Sequence, residues 1–174
     1  SRNHNTHRLM KKLLIFLMAL VTLAVTTPAF AAKRSIMELP PYERAVLIIK
    51  HHETLHDSRT CWPYIGYGHR KLPGEKYFRG YKMSEREADA LLRKDLNKFI
   101  AIFSDLKPSD ALLMGVLSYN IGPGAVKKST VYRKLKSGNR NIFKSYTSHC
   151  SYKGKFHQGL YKRRCQEFVA LFTP

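Results

Sequence analysis

The stretch HHETLHDSRTCWPYIGYGHRKLPGE, His51 to Glu75, decides how the chain is read. A single carboxylate near its start, Glu53, stands among His51, His52 and His56, and ten residues later Pro63 leads into Tyr64-Ile65-Gly66-Tyr67-Gly68-His69. Upstream, Pro40-Pro41 precedes Ala45, Val46, Ile48 and Ile49 at helical spacing. Proline suits the first turn of a helix, where its missing N–H would have had no intrahelical acceptor. The spacing therefore predicts a helix that ends at Glu53. The negative end of the helix dipole and the apolar neighbours are expected to push a carboxylate's pKa up at that place, which is the property a general acid needs. Beyond it, aromatic and β-branched residues broken by Gly66 and Gly68 predict a small β-hairpin or three-stranded lobe, continued by KLPGEKYFRG (71–80) through a Pro-Gly turn.

The remainder reads as helices. Ser84 and Glu87 form a capping box, and Ala88, Leu91, Leu92, Leu96, Phe99, Ile100 and Phe103 follow as an apolar stripe. Asp95 falls within that stripe, and a carboxylate on a buried face needs a partner. Ser109-Asp110 opens ALLMGVLSYNI, apolar nearly all round and so expected at the centre of the fold, with Gly122-Pro123-Gly124 ending it. Thr130 is expected to cap VYRKLKS, stopped by Gly138. Asn141 to His149 reads as a short helix, KGKFHQG (153–159) as a loop, and Leu160 to Phe172 as a last helix carrying Arg163, Arg164 and Glu167. The expected class is α+β, predominantly helical, with a small β-lobe and a larger helical lobe around a cleft, and Glu53 at the hinge.

The N-terminus bears on the compartment. Met10-Lys11-Lys12, the uncharged Leu13–Val25 and the small-residue site at Ala29-Phe30-Ala31 read as a signal peptide over residues 10–31, with an uncleaved signal anchor as the alternative. Residues 1–9 read as upstream sequence, and residues 32–174 as one domain, long enough to bury a core. Removing Arg2, Arg8, Lys11 and Lys12 with the leader lowers the formal charge from +19 to +15. That field attracts polyanions. For an exported chain these are an anionic cell wall or membrane surface, with no specific nucleic acid partner expected. The three cysteines permit a disulfide in an exported protein, with Cys150–Cys165 as the first choice. No Cys/His set has zinc spacing, and no metal or cofactor is implied.

Six segments together resemble the phage-type lysozymes, family 24 of the glycoside hydrolases. In order they are the acid ending an opening helix (Glu53), Ile65–His69, Ser84–Leu96, Leu117–Gly124, Ser129–Gly138 and Gly159–Phe168. The resemblance implies a lysozyme-like fold and a muramidase that cuts peptidoglycan glycan strands at the β-1,4 bond between N-acetylmuramic acid and N-acetylglucosamine; with the signal peptide, the expected location is periplasmic or secreted, and a monomer is expected. It makes Glu53 the general acid. Gly66 and Tyr67 lie in the cleft floor, His69 pairs with Asp95, Asn120 borders the cleft, and one arginine of the Arg163-Arg164 pair, Arg164 by preference, reaches back to Glu53.

The chain departs from the family pattern where the second catalytic group is expected. Tyr64 stands where threonine is usual, and Glu53 to Ile65 is four residues shorter. Asp57 and Cys61 are the nearest candidates, with His56 beside them and Tyr64 as a possible water-orienting hydroxyl. An inverting glycosidase needs an acid on the leaving oxygen and a base for water on the opposite face. Asp57 fits the base, although a loop aspartate equally caps its own turn. A lytic transglycosylase, which works with one acid, is the rival enzyme. A cationic wall-binding protein without activity is the rival of another kind.

Overall fold

The computed structural model describes residues 35–174. The signal-peptide reading (10–31) and the segment before it (1–9) fall outside the described residues. After a single turn of tight helix at Ile36–Glu38, eight α-helices and two small hairpins follow among the described residues.

The first helix, α1 (Pro41–Glu53), starts on proline and buries Ala45, Val46, Ile48 and Ile49, ending at Glu53. A short helix, α2 (Ser58–Cys61), leads to strands β1 (Tyr64–Ile65) and β2 (His69–Arg70). Then come α3 (Glu85–Ala101), capped by the Ser84 side chain, and α4 (Pro108–Ile121). Helices α5 (Pro123–Lys128), α6 (Thr130–Lys136) and α7 (Phe143–Thr147) are short. A second hairpin, β3 (Ser151–Tyr152) and β4 (Lys155–Phe156), precedes α8 (Gln158–Leu171).

Helix α4 is the centre. Every residue from Asp110 to Ser118 is buried, as its all-round apolar sequence predicts. Burying each of Leu112, Leu113, Met114, Val116 and Leu117 is worth about 1.5–3 kcal/mol against exposure. Helices α3, α5, α8 and α1 pack around it. Where α3 crosses, a Cβ on Gly115 would lie 2.7 Å from Ile100 Cγ1 and 3.2 Å from the Ile100 backbone nitrogen. The two helices approach this closely because position 115 carries no side chain. Asp110, buried on the first turn of α4, takes a forked ion pair from Arg140 at 2.7 and 3.0 Å.

Several expectations are corrected. The small lobe is the two-stranded hairpin and not the three-stranded alternative: Ile65 pairs with His69 and Tyr64 with Arg70, because Gly66 and Gly68 take positive φ (+54° and +85°) and turn the chain. Between Glu53 and the hairpin, where no helix is expected from the sequence, the chain forms α2. Helix α4 does end at Gly122, but Pro123 immediately starts α5. The cap of α6 is Ser129, whose hydroxyl accepts from Tyr132 N at 3.1 Å, and Thr130 is already helical. KGKFHQG is not a plain loop; it carries β4 and the turn that precedes it. Cys61, Cys150 and Cys165 are all free thiols, so the Cys150–Cys165 link is not formed. Cys165 lies instead along the groove between α1 and α8, beside Ile48 and His51.

Candidate active site

Glu53 is the last residue of α1, and the backbone turns sharply behind it. Thr54 sits at φ +53° and ψ 170°, a region that favours glycine and costs a branched residue about 1–3 kcal/mol. Its N–H still reaches Lys50 O at 3.0 Å, which holds the helix end closed. Two residues on, His56 N donates to Gly66 O at 2.8 Å, laying the chain against the first hairpin. Thr54→Gly is therefore expected to raise thermal stability by about 1 kcal/mol or more, with lower activity as Glu53 loses its fixed mounting. Melting temperature and rate, measured on the same preparation, check this.

The hairpin turn is clamped from two sides. Tyr119 on α4 donates its hydroxyl proton to Tyr67 O at 2.7 Å, and the Tyr67 hydroxyl donates to Glu85 at the start of α3. This brings Gly68 against the glutamate: a Cβ there would stand 3.1 Å from Glu53 Oε2. The turn conformation and the missing side chain both explain glycine at this position.

On its other side Glu53 meets a buried ionic cluster carried by α8. Arg163 Nη1 donates to Glu53 Oε1 at 2.7 Å, and Arg163 Nε to Glu167 Oε1 at 2.9 Å. Arg164 Nη2 is shared between Glu167 Oε1 (3.1 Å) and Asn120 Oδ1 (3.0 Å) at the end of α4. The Tyr146 hydroxyl donates to Glu167 Oε2 at 2.8 Å. Glu167 and Arg164 are wholly buried, while the Glu53 side chain keeps 19% of its surface exposed. The arginine that holds Glu53 is thus Arg163, which corrects the preference for Arg164. Neighbours on a helix point about 100° apart. Arg163 faces the end of α1, and Arg164 faces the end of α4, where it holds Asn120.

The cluster's electrostatics follow from burial. Burial penalises the charged guanidinium of Arg163, but Glu167 and Glu53 outweigh it and its pKa lies above the ordinary arginine value. Burial, followed by the charge on Glu167, pushes the Tyr146 phenol well above its ordinary value. The donors outnumber the acceptors: Arg163 Nη2 and Arg164 Nε and Nη1 are buried without a protein acceptor. Glu167, serving three donors, is the hub.

His69 fixes the hairpin to α3. Its Nδ1 lies 2.6 Å from Asp95 Oδ2, and its Nε2 lies 3.0 Å from Glu75 Oε2. The hydrogen bond to Asp95 raises the imidazole pKa, burial opposes, and Glu75 adds to the rise. A raised folded pKa stabilises fully below the unfolded value, about 6.5, and the stabilisation is lost as pH climbs through the folded value. The melting-temperature gap between the wild type and His69→Asn is expected to be largest below about pH 6.5 and to shrink above it; a gap that grows with pH would contradict this.

Asp57 is not drawn into this group. It caps α2, accepting from Arg59 N at 2.9 Å, and the Arg59 guanidinium grips both its oxygens at 2.6–3.1 Å. The Arg59 hydrogen bonds hold its pKa down at about 2, so it stays ionised. It lines a hollow of about 320 Å³ with His56, Ser58, Gly80 and Tyr81 rather than with Glu53. Ser58 is structural: its hydroxyl donates to Tyr81 O and accepts from Gly80 N. His56 Nδ1 lies 3.2 Å from Thr54 O. Tyr64 stands on β1 with 45% of its surface exposed. Among the described residues, no group of three or more His, Cys, Asp or Glu side chains could hold a metal ion.

Sequence reading assigned no role to Glu167, Tyr146, Tyr119 or Glu75. For Glu167 a signal existed: it follows Arg163 by four residues and Arg164 by three on one helix, the spacings of intrahelical ion pairs.

The phage lysozyme family matches residues 51–167, more than half of the chain. The chain belongs to the phage lysozyme family. The match begins at the end of α1 and closes on Glu167, so Glu53 and the arginine pair both lie inside it. An endolysin of Bacillus phage B103 is 32% identical over 115 residues, which are 63% of this chain and 43% of that endolysin. The chain thus spans less than half the length of that relative. Among solved structures, the muramidase domain of SpmX from Asticaccaulis excentricus is similar at 25% identity and a TM-score of 0.63, over 75% of this chain and 95% of that one. The endolysin of Escherichia coli O157:H7 phage FAHEc1 shares the fold at 24% identity and a TM-score of 0.60, over 75% of this chain and 93% of that one. The mostly helical lysozyme fold of the family, with its small antiparallel hairpins, is the fold of this chain.

Proposed function

We propose that this chain is an exported peptidoglycan hydrolase, a muramidase that cuts the β-1,4 bond between N-acetylmuramic acid and N-acetylglucosamine. The observation that carries the reading is the mounting of Glu53. One carboxylate at a helix end is held by a buried arginine on one oxygen, faces a side-chain-free glycine at the other, and is partly open to solvent. A glycan lying over the Gly66–Gly68 turn would present its bridging oxygen to the Glu53 carboxyl, which gives the proton as the bond breaks. Family membership supports the same chemistry.

The second carboxylate of the proposal is Asp57. Acid and base divide the work when their environments keep one protonated and the other ionised, and Asp57, held at about 2 by Arg59, is ionised at any working pH. Arg59 is well exposed and can be displaced by an entering strand. Asp57→Asn, which keeps a cap acceptor, is expected to lower turnover by at least about 10²-fold.

A second reading, a lytic transglycosylase, is favoured by one observation: both Asp57 oxygens are already occupied by Arg59. In that case the sugar's own 6-hydroxyl attacks and Asp57→Asn leaves the rate nearly unchanged. Digestion of purified peptidoglycan by the wild type and Asp57→Asn, with reducing and 1,6-anhydro ends both counted, separates the two. Reducing ends and a slow Asp57→Asn support the hydrolase; anhydro ends and an unaffected Asp57→Asn reject it.

A further inference from the structure

The charge of this chain is not spread evenly. From Ala111 to Gln166 there is no Asp or Glu and there are twelve Lys and Arg residues. Arg163 and Arg164 are committed to the buried cluster, Arg140 to Asp110, and Lys127 and Lys136 to Asp105. The others stand on a surface with no acidic residue of its own segment to balance them.

The second hairpin projects from this half. Every residue from Ser151 to Gly159 is exposed. Ser151 pairs with Phe156 and Tyr152 with Lys155. Lys153 and Gly154 between them both have positive φ, +51° and +77°, the signature of a tight primed turn that usually takes Asn or Gly at its first position. A lysine therefore holds the tip at some backbone cost. Its ammonium lies 5.4 Å from the centre of the Tyr152 ring. Tyr152 and Lys155 share one face. Phe156 is on the other, with its ring 5.8 Å from that of Tyr161 on α8. Tyr152 is 60% exposed and Phe156 63%.

We infer that this hairpin docks the protein on an anionic lipid bilayer. Two features together select a bilayer over a dissolved polyanion. Lysines at a projecting tip gain by approaching anionic headgroups, as they would at any polyanion. Large aromatic side chains beside them lose by standing in water, and tyrosine in particular settles at the headgroup level of a membrane, ring in the apolar boundary and hydroxyl in the wet layer. Tyr152 and Lys155 on one face, with Lys153 at the tip, present both at once. The inference does not depend on the glycosidase reading, because none of these residues touches the Glu53 cluster.

The test uses the full chain with sedimenting vesicles of neutral phosphatidylcholine and of phosphatidylcholine mixed with phosphatidylglycerol, at low and physiological salt. Lys153→Gln with Lys155→Gln is expected to weaken binding to the anionic vesicles by about 30-fold, with binding to neutral vesicles unchanged. Tyr152→Ser is expected to weaken vesicle binding several-fold while leaving binding to soluble polyphosphate as in the wild type. Melting temperatures show that the variants are folded. Lysine variants that bind anionic vesicles as the wild type does would overturn the inference. So would a Tyr152→Ser that loses nothing on vesicles, since the hairpin would then be a general polyanion contact. A parallel loss of activity on soluble glycan fragments would make it a substrate contact and overturn it equally.

Discussion

Glu53→Gln is expected to leave the protein folded and to reduce the cleavage of peptidoglycan by about 10²–10⁴-fold. Glutamine has the size of glutamate and keeps an oxygen for Arg163 Nη1, now 2.7 Å from Glu53 Oε1. It cannot give a proton to a leaving oxygen. Arg163 retains its second acceptor, Glu167, and position 53 is partly solvated, so the melting temperature should move little. A variant that keeps most of the wild-type rate would remove Glu53 from the chemistry. One that loses activity only through unfolding would leave its role undecided between support and catalysis, and the melting curve distinguishes that outcome.

The largest stability effect is expected at Glu167. Its carboxylate serves Arg163, Arg164 and Tyr146 and is fully buried. Removing one partner of a buried ionic group leaves charge uncompensated and costs about 3–5 kcal/mol. Glu167→Gln should therefore lower the melting temperature by about 10 °C or more. It should also reduce activity at temperatures where the chain is still folded, because Arg163 then loses the anchor that aims it at Glu53 and Arg164 loses its hold beside Asn120. A Glu167→Gln variant with unchanged melting temperature would mean that the cluster does not stabilise the fold. Unchanged turnover in a folded but destabilised variant would separate the cluster from the catalytic geometry.

Much of the scaffold is legible because it rests on local rules. Pro41, the apolar face of α1 and the Ser84 cap place two helices by propensity and periodicity. The unbroken apolar run of Leu112–Leu117 puts α4 at the centre, since no exposed face is left to it. Asp95 within the α3 stripe calls for a partner, and His69 stands beside it. What fails to be legible depends on three-dimensional closure. Which of Arg163 and Arg164 faces Glu53 is a matter of helix phase, and a shift of one residue turns a side chain by about 100°. Gly115 gives no sign in sequence that Ile100 of a neighbouring helix presses on it. Thr54 hides its positive φ entirely, because a threonine in sequence argues for the opposite backbone. The second hairpin is missed because Lys153 stands where Asn or Gly would have announced the turn. Asp57 carries a genuine ambiguity: the same side chain that can orient water also caps α2, and both uses are written in the same residue type.

The most direct measurement is digestion of purified peptidoglycan in heavy-oxygen water, followed by mass spectrometry of the released fragments. The account predicts one heavy oxygen at the new reducing end of N-acetylmuramic acid in the wild-type digest, and release lowered by at least about 10²-fold with Glu53→Gln. Fragments whose new ends carry no heavy oxygen, or a wild type that releases nothing, would contradict it.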